Sequence, residues 1–184
     1  MKEGISFWDA YTLLTPQPIK SEIPLSFETI DVDYGYVLYT KDILENGTLS
    51  IPVLHDRAYI YINKQIIGIV TRNSEKTIQV HSGHLELLIE NMGHINFGGE
   101  MMEFKGIPKG VYLNDQYLKD WIIYGVAWIN NFNLGRYWTI GPQLTLYVPH
   151  PILKEGKNEL IIFETEHTGD SMTFQDFPLI DIIV

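Results

Sequence analysis

Short runs in which apolar and polar side chains alternate fill most of the chain, and turn residues separate them. Residues 58–62 place three aliphatic side chains on one face and two tyrosines on the other, which is typical of a strand buried on one side. Residues 34–39 alternate in the same way, with Val37 and Tyr39 sharing a face. Further strands are predicted at residues 66–70, 76–80, 85–90, 111–113, 121–124, 126–130, 144–148 and 159–165.

The spacing of the turn signals predicts the fold class. Turn residues such as Asn46-Gly47 recur about every 8–12 residues, as they do in β-sandwiches and jelly rolls. One helical pattern is found, at residues 7–14. We therefore predict an all-β protein, an antiparallel β-sandwich or jelly roll. Residues 1–22 are expected to form a lead-in segment and residues 23–184 a single merged sandwich domain.

The chain contains an internal repeat. Residues 61–68 and 128–135 share one pattern, which runs aromatic, Ile, Asn, three variable positions, aliphatic and Gly. Each copy predicts a hairpin with an Asn turn, then a third strand and a fourth strand that ends in Glu90 or Glu164. Because one such unit cannot cover its own apolar face, we expect two related half-motifs that pack face to face. A chance likeness between two hairpins is the alternative that the sequence leaves open.

Composition and charge exclude several classes of protein. The net charge of −10 argues against a nucleic-acid partner, because phosphate contacts are made mostly by Lys and Arg. The absence of Cys excludes disulfides, thiolate metal sites and Cys nucleophiles. No apolar run approaches the ~20 residues of a membrane-spanning helix, and no signal peptide is visible, so a soluble protein is expected, with its compartment left open.

The sequence offers no motif that selects catalytic or metal-binding residues. Glycosidic chemistry needs two carboxylates that face each other across a cleft, and each candidate here is more simply a solvated surface group. His81 and His84 flank Ser-Gly, which indicates a polar hairpin tip rather than a zinc motif. We therefore predict no catalytic residue, no metal and no cofactor within this chain. The carboxylates weighed were Asp56, Glu90, Glu100, Glu103, Asp115, Asp120, Glu164 and Glu166.

One hairpin combines aromatic rings with planar polar groups. Sugar rings stack on Trp or Tyr, while Asn and Arg bind their hydroxyl groups. The alternative is that the two tryptophans fill the core between the sheets while the arginine pairs with a carboxylate. The candidate carbohydrate-binding residues are Trp128, Asn130, Arg136, Tyr137 and Trp138.

Several stretches together resemble a known family. Residues 130–138, followed by 141–149, closely resemble the C-terminal signature of β-galactosidases of glycoside hydrolase family 35. Five further stretches are similar to that family and follow its order: residues 34–39, 55–59, 90–98, 104–107 and 120–121. The resemblance implies a non-catalytic C-terminal region built of jelly rolls of the galactose-binding-domain-like type.

Two departures from the family pattern qualify this resemblance. The (β/α)8 barrel that holds the family's catalytic glutamates has no counterpart in this chain. The family also has a long segment between the two stretches that here lie at residues 121–124 and 125–128, so a second complete sandwich cannot be built. His94 stands where the family often has Arg.

Three hypotheses follow from the residues and the resemblance. The first is a non-catalytic accessory β-sandwich of a β-galactosidase-like glycoside hydrolase, which supports a catalytic barrel in the same or another chain. The second is a free-standing module that binds galactosides or other carbohydrates. The third is an interaction protein that forms homo-oligomers through open strand edges. Whether the chain is itself an enzyme is left open, with autonomous catalysis ranked last.

Overall fold

The computed structural model describes residues 6–14, 17–32, 34–99, 101–126 and 147–158. The chain divides into two compact units: Tyr11–Val126, and Met1–Ala10 together with Ala127–Val184. Most of the described residues belong to Tyr11–Val126, so the fold is described from that unit. Among the described residues, no helix has the length and apolar character needed to span a membrane.

The described part of the chain is mostly strand. Helix α1 covers Phe7–Leu14, as the sequence predicts, and short 3-10 helices cover Glu28–Ile30 and His150–Ile152. The strands are β1 (Ile19–Ser21), β2 (Tyr36–Ile43), β3 (Gly47–Ser50), β4 (Arg57–Ile62), β5 (Gln65–Thr71), β6 (Thr77–Val80), β7 (Gly83–Glu90), β8 (Tyr112–Leu113), β9 (Gln116–Tyr117) and β10 (Trp121–Val126).

These strands form two antiparallel sheets. The six-stranded sheet has the order β1-β10-β2-β7-β4-β5, and the four-stranded sheet has the order β6-β3-β8-β9. Side chains from both sheets join one apolar core, to which Leu49 and Leu113 contribute from the smaller sheet and Leu87 and Trp121 from the larger. The prediction of an all-β antiparallel sandwich is confirmed.

Alternation along the strands decides which side chains enter this core. Ala58, Ile60 and Ile62 are buried in it, as predicted, and each fully buried aliphatic side chain of this size contributes roughly 1.5–3 kcal/mol. Tyr39 is also fully buried, and its hydroxyl donates a hydrogen bond to the Leu25 carbonyl at 2.7 Å. Burial raises the pKa of the Tyr39 phenol far above its usual value.

The connections agree with the predicted turns in part. Asn63 and Lys64 both have positive φ, at 51° and 66°, so β4 and β5 are joined by the tight hairpin turn that the sequence predicts. The prediction of a polar hairpin tip at residues 81–84 is wrong. His81 and Ser82 instead connect β6 to β7, which lie in different sheets, and His84 lies within β7 with its Nδ1 2.6 Å from Asp42.

The four-stranded sheet covers the apolar face of the six-stranded sheet, and its strands span residues 47–117. The first half-motif is therefore covered by strands of its own unit, contrary to the expectation that two half-motifs cover each other. The second copy of the repeat, at residues 128–135, lies outside the described residues. The lead-in at residues 1–22 and a single merged domain over residues 23–184 stay predictions.

Candidate functional site

The predicted carbohydrate-binding hairpin cannot be placed. Its five candidates, Trp128, Asn130, Arg136, Tyr137 and Trp138, all lie outside the residues that the structure describes. Their role stays a prediction. Within the described ranges, two other features stand out: a cluster of buried charges and an apolar loop that the cluster holds.

The buried charges come from stretches far apart in the sequence. We define the Lys105 cluster as Asp56, Arg72, Glu103 and Lys105. The side chains of Lys105 and Asp56 are both 0% exposed, and the ammonium nitrogen lies 2.9 Å from Asp56 Oδ1. Glu103 Oε1 lies 3.5 Å from the same nitrogen, and Arg72 Nη2 forms an ion pair with that carboxylate. Lys105, Asp56 and Glu103 are buried, and Arg72, which is partly exposed, pairs with Glu103, so each buried charge has an opposite partner, as burial requires.

Backbone groups supply the remaining partners of Lys105 and Asp56. Lys105 Nζ donates hydrogen bonds to the carbonyls of Gly93, at 2.9 Å, and His55, at 3.2 Å. Asp56 accepts hydrogen bonds from the amides of Met92, at 2.8 Å, and Gly106, at 2.7 Å. Among the described residues, no buried side-chain nitrogen or oxygen lacks a hydrogen-bond partner.

Glu28 adds a second tie to the same region. Its carboxylate accepts hydrogen bonds from the backbone amide of Lys105, at 2.9 and 3.2 Å. Oε1 of Glu28 also lies 3.4 Å from Nε2 of His94, the histidine that replaces the family's usual arginine. A protonated His94 can therefore form an ion pair with Glu28, so this position keeps a polar role.

The structure brings together three of the stretches that carry the family resemblance. Asp56 belongs to residues 55–59, the Gly93 carbonyl to residues 90–98, and Lys105 to residues 104–107. The expectation that Asp56, Glu90 and Glu103 are solvated surface carboxylates is wrong, because all three side chains are buried against cationic partners. The arrangement tethers the connection between β7 and β8 to the sandwich.

Large apolar side chains are exposed along this connection. We call residues 92–99 and 101–104 the apolar loop. Phe97 is 87% exposed and Met102 is 89% exposed, although monomeric proteins rarely expose several large apolar groups together. The resemblance marks residues 90–98 and 104–107, but the exposure of the apolar side chains could not be predicted, because they follow neither a strand period nor a helix period. The five exposed side chains are Met92, Phe97, Met101, Met102 and Phe104.

The face of the six-stranded sheet that points away from the core is also buried at its centre. Leu38 and Leu88 lie opposite each other on β2 and β7, and neither is measurably open to solvent. Tyr11 of α1 packs edge-to-face on Tyr124 of β10, with ring centroids 4.8 Å apart. This centre is not an open platform for a sugar ring.

Two carboxylates lie on this same face. Glu90 accepts a hydrogen bond from the Tyr59 hydroxyl at 3.2 Å, and Arg57 Nη1 lies 3.7 Å from the same oxygen. Both oxygens of Glu86 accept the backbone amide of Lys64, at 3.0 and 3.2 Å. Burial nevertheless raises the pKa of the Glu86 carboxyl, because desolvation outweighs that hydrogen bond. Among the described residues, no group of three or more acidic or histidine side chains could hold a metal ion.

Two family models match the chain. The model described as "Beta-galactosidase, first all-beta domain" matches residues 24–127, which is more than half of the chain. The model described as "Beta-galactosidase, galactose-binding domain" matches residues 106–158 and so includes all five predicted carbohydrate-binding residues. Both matched regions contain strands of the sandwich.

Curated relatives carry the same name. The chain is 32% identical over 236 residues to "Beta-galactosidase-1-like protein 2" of Homo sapiens, covering 95% of this chain and 37% of that protein. It is 29% identical to "Beta-galactosidase" of Bos taurus, covering 86% of this chain and 36% of the relative. It is 28% identical to "Beta-galactosidase 8" of Oryza sativa subsp. japonica, covering 84% and 37%.

The chain therefore spans little more than a third of the length of these relatives. The stretch aligned with the first human relative is 236 residues, which is longer than the 184 residues of this chain. The relative thus carries residues within the matched region that this chain lacks. This difference agrees with the shortened connection that the sequence comparison predicts after residues 121–124.

Proposed function

Because this chain belongs to the β-galactosidase family, we propose that it is a non-catalytic accessory β-sandwich that supports the catalytic part of a β-galactosidase-like glycoside hydrolase. The observation that carries this proposal is the position of the match. The models that fit are an all-β domain and a galactose-binding domain, and the chain itself covers 37% of the first human relative.

Three of the described carboxylates are buried in contacts with neighbouring side chains, which supports a structural role. Asp56 and Glu103 are held by Lys105, and Glu90 is held by Tyr59 and Arg57. Each of these side chains is buried against its partner, and such a group cannot approach a glycosidic bond without breaking that contact. These carboxylates therefore fit a scaffold better than a pair that acts on a substrate.

A chimera of a whole relative tests the accessory role. The segment of Bos taurus β-galactosidase that aligns with this chain is replaced by this chain, and a second version lacks the segment altogether. We expect the chimera to unfold at a higher temperature than the deleted version and to retain more hydrolysis of a fluorogenic galactoside. A chimera no better than the deleted version contradicts the proposal. If the isolated chain hydrolyses the galactoside and one Asp or Glu substitution abolishes this activity, the proposal that the chain is non-catalytic is contradicted.

A second candidate function is carbohydrate binding, with galactosides as the first ligands. The match of the galactose-binding domain model to residues 106–158 favours it, since the predicted aromatic and polar residues lie inside that range. Titration calorimetry with galactose, lactose and unrelated sugars tests it. We expect heat only with galactosides, and we expect Trp138→Ala and Arg136→Ala to abolish it without lowering thermal stability. No heat at millimolar sugar contradicts this function.

Assembly through a strand edge is a third possibility that one observation supports. Within the described strands, β5 pairs only with β4, so its other edge has no sheet partner there. Ile66 and Ile69 lie on β5 and are about half exposed. An apolar edge strand without charged residues is a site where a second strand can add. The corresponding test of the oligomeric state is given in the Discussion.

A further inference from the structure

We propose that the apolar loop, residues 92–99 and 101–104, is the surface through which this sandwich docks on the catalytic part of a β-galactosidase-like protein. This inference rests on the accessory role proposed above and names the surface that carries it. Three observations support the docking surface: the exposure of the loop, the contacts that hold its ends, and the net charge of the chain.

The loop exposes apolar groups where a simple connection needs none. It lies between the end of β7 at Glu90 and the start of β8 at Tyr112, a much longer connection than the median of about 4–6 residues. Long ordered loops in compact domains are usually functional. Five large apolar side chains are exposed between positions 92 and 104, whereas the sandwich buries comparable residues in its core. Solvent exposure of this extent indicates a surface that is covered in an assembly.

Buried charges hold the two ends of the loop together. Lys105 Nζ donates to the Gly93 carbonyl, and this bond joins the residue that follows the loop to its second residue. Glu103 lies within the loop and is anchored by Arg72. Glu28 ties the Lys105 amide and His94 to the sandwich. These contacts fix both ends of the loop, so binding costs less conformational entropy than it would for a loop with free ends, which favours a docking surface over a mobile linker.

The composition of the loop selects the chemistry of its partner. Phe97, Met101, Met102 and Phe104 present rings and flexible thioethers, which suit an apolar protein surface of irregular shape. Sugar recognition needs several planar polar groups beside the aromatic ring. Among the described residues of the loop, Asn96 is exposed next to Phe97, whereas His94 is engaged with Glu28, and Glu103 is engaged with Lys105 and Arg72.

The occupant we infer is the part of a β-galactosidase-like protein that the match leaves out. The relatives extend over about 63% of their length beyond the region aligned with this chain, so a large partner region is available to cover the loop. Two chains that each carry a net charge of −10 repel one another, which disfavours a second copy as the occupant of this loop and does not exclude assembly at another surface such as β5.

The test uses two variants in two settings. Phe97→Lys combined with Met102→Lys places charges on the two most exposed side chains of the loop. Leu44→Lys is the matched control, because Leu44 is 94% exposed on the connection between β2 and β3, outside the loop. Each variant is made in the isolated chain and in the chimera with Bos taurus β-galactosidase described above. Thermal unfolding is measured in both settings and galactosidase activity in the chimera.

The expected result separates docking from folding. In the isolated chain, neither variant should change the unfolding midpoint, because the altered side chains are exposed. In the chimera, the loop variant should lose at least about tenfold in activity or unfold at a lower temperature, as charged substitutions at the centre of an interface do. Leu44→Lys should leave the chimera unchanged.

Each other outcome overturns a defined part of the argument. A loop variant that behaves like Leu44→Lys in an active chimera contradicts the docking surface and leaves the accessory role standing. A parent chimera no better than the deleted version contradicts the accessory role itself. A loop variant that also destabilises the isolated chain shows that the loop acts through folding, which contradicts docking. If the isolated chain forms a dimer and the loop variant abolishes it, the surface binds a second copy of this chain, and the inference is contradicted.

Discussion

Replacing Lys105 with methionine is the most direct test of the Lys105 cluster. Lys105→Met keeps most of the side-chain volume but removes the ammonium group from between Asp56 and Glu103. Arg72 still compensates Glu103, so the group left without a cation is the Asp56 carboxylate, whose exposed fraction is 0%. The carbonyls of Gly93 and His55 lose a donor at the same time.

The size of the effect follows from these lost contacts. Removing one partner of a buried ion pair costs about 3–5 kcal/mol, because the remaining charge stays desolvated. The carbonyls of Gly93 and His55 are only partly buried, and that of His55 keeps the Arg72 donor, so they add little to that cost. The amides of Met92 and Gly106 still stabilise the Asp56 carboxylate. We therefore expect a loss of about 3–5 kcal/mol, a large share of the ~5–15 kcal/mol that stabilises an ordinary domain.

Urea unfolding followed by circular dichroism measures this loss. The control is Lys119→Met, which removes an equally charged group from an exposed pair with Glu22, 2.6 Å away. The pKa of the Glu22 carboxyl is lowered by its hydrogen bond to Lys119, yet solvent screens this pair, so the control should match the parent chain. If Lys105→Met unfolds at the same urea concentration as Lys119→Met, the cluster does not hold the fold and this reasoning is refuted.

Three further predictions test the sheet face, a turn and an edge. Glu86→Gln should be more stable than the parent chain at pH 7, because burial raises the pKa of the Glu86 carboxyl and Gln still accepts the Lys64 amide. This difference in stability should shrink as the pH falls to about 4.3, and a constant difference across urea unfolding curves at several pH values would contradict the prediction. Gly110→Ala should lower the free energy of unfolding by about 1–3 kcal/mol in the same assay, because φ at this position is +78° and the new Cβ would collide with the Tyr117 ring. An unchanged unfolding midpoint would contradict this prediction. If β5 mediates assembly, light scattering should show a dimer at high protein concentration, and Ile69→Lys should convert this dimer to a monomer. A parent chain that is monomeric would contradict this prediction.

The longer strands of the sandwich could be predicted from alternation alone. β4 and β7 lie within a few residues of their predicted positions, because their aliphatic side chains recur at every second position. The sequence does not predict β3 and β9, because the apolar residues in and around them are too few to show alternation, whereas the equally short β6 and β8 are predicted. Periodicity also does not tell which sheet a strand joins. Asn46-Gly47 marks a turn, but the strands on either side of it, β2 and β3, belong to different sheets.

The candidate site was harder to predict than the strands. Asp56, Arg72 and Glu103 are separated by long stretches of sequence, and an isolated charged residue in a strand-rich chain is usually solvated. Residues 55–59 and 104–107 both resemble the β-galactosidase family. This resemblance draws attention to Asp56 and Lys105, but it does not predict that their side chains contact each other. The match of the first all-β domain to residues 24–127 agrees with that resemblance.

The charged character of the cluster has a reason in the backbone that surrounds it. A buried ion pair is often no more stabilising than apolar side chains of the same volume, so stability alone does not account for it. However, the amides of Met92 and Gly106 and the carbonyl of Gly93 lie outside the strands, where a sheet neighbour would otherwise satisfy them. An apolar replacement would remove these partners, and the buried Gly106 amide by itself would then cost about 1–3 kcal/mol. Asp56 and Lys105 therefore do what a strand cannot: they satisfy irregular backbone at both ends of the apolar loop and hold those ends on the sandwich.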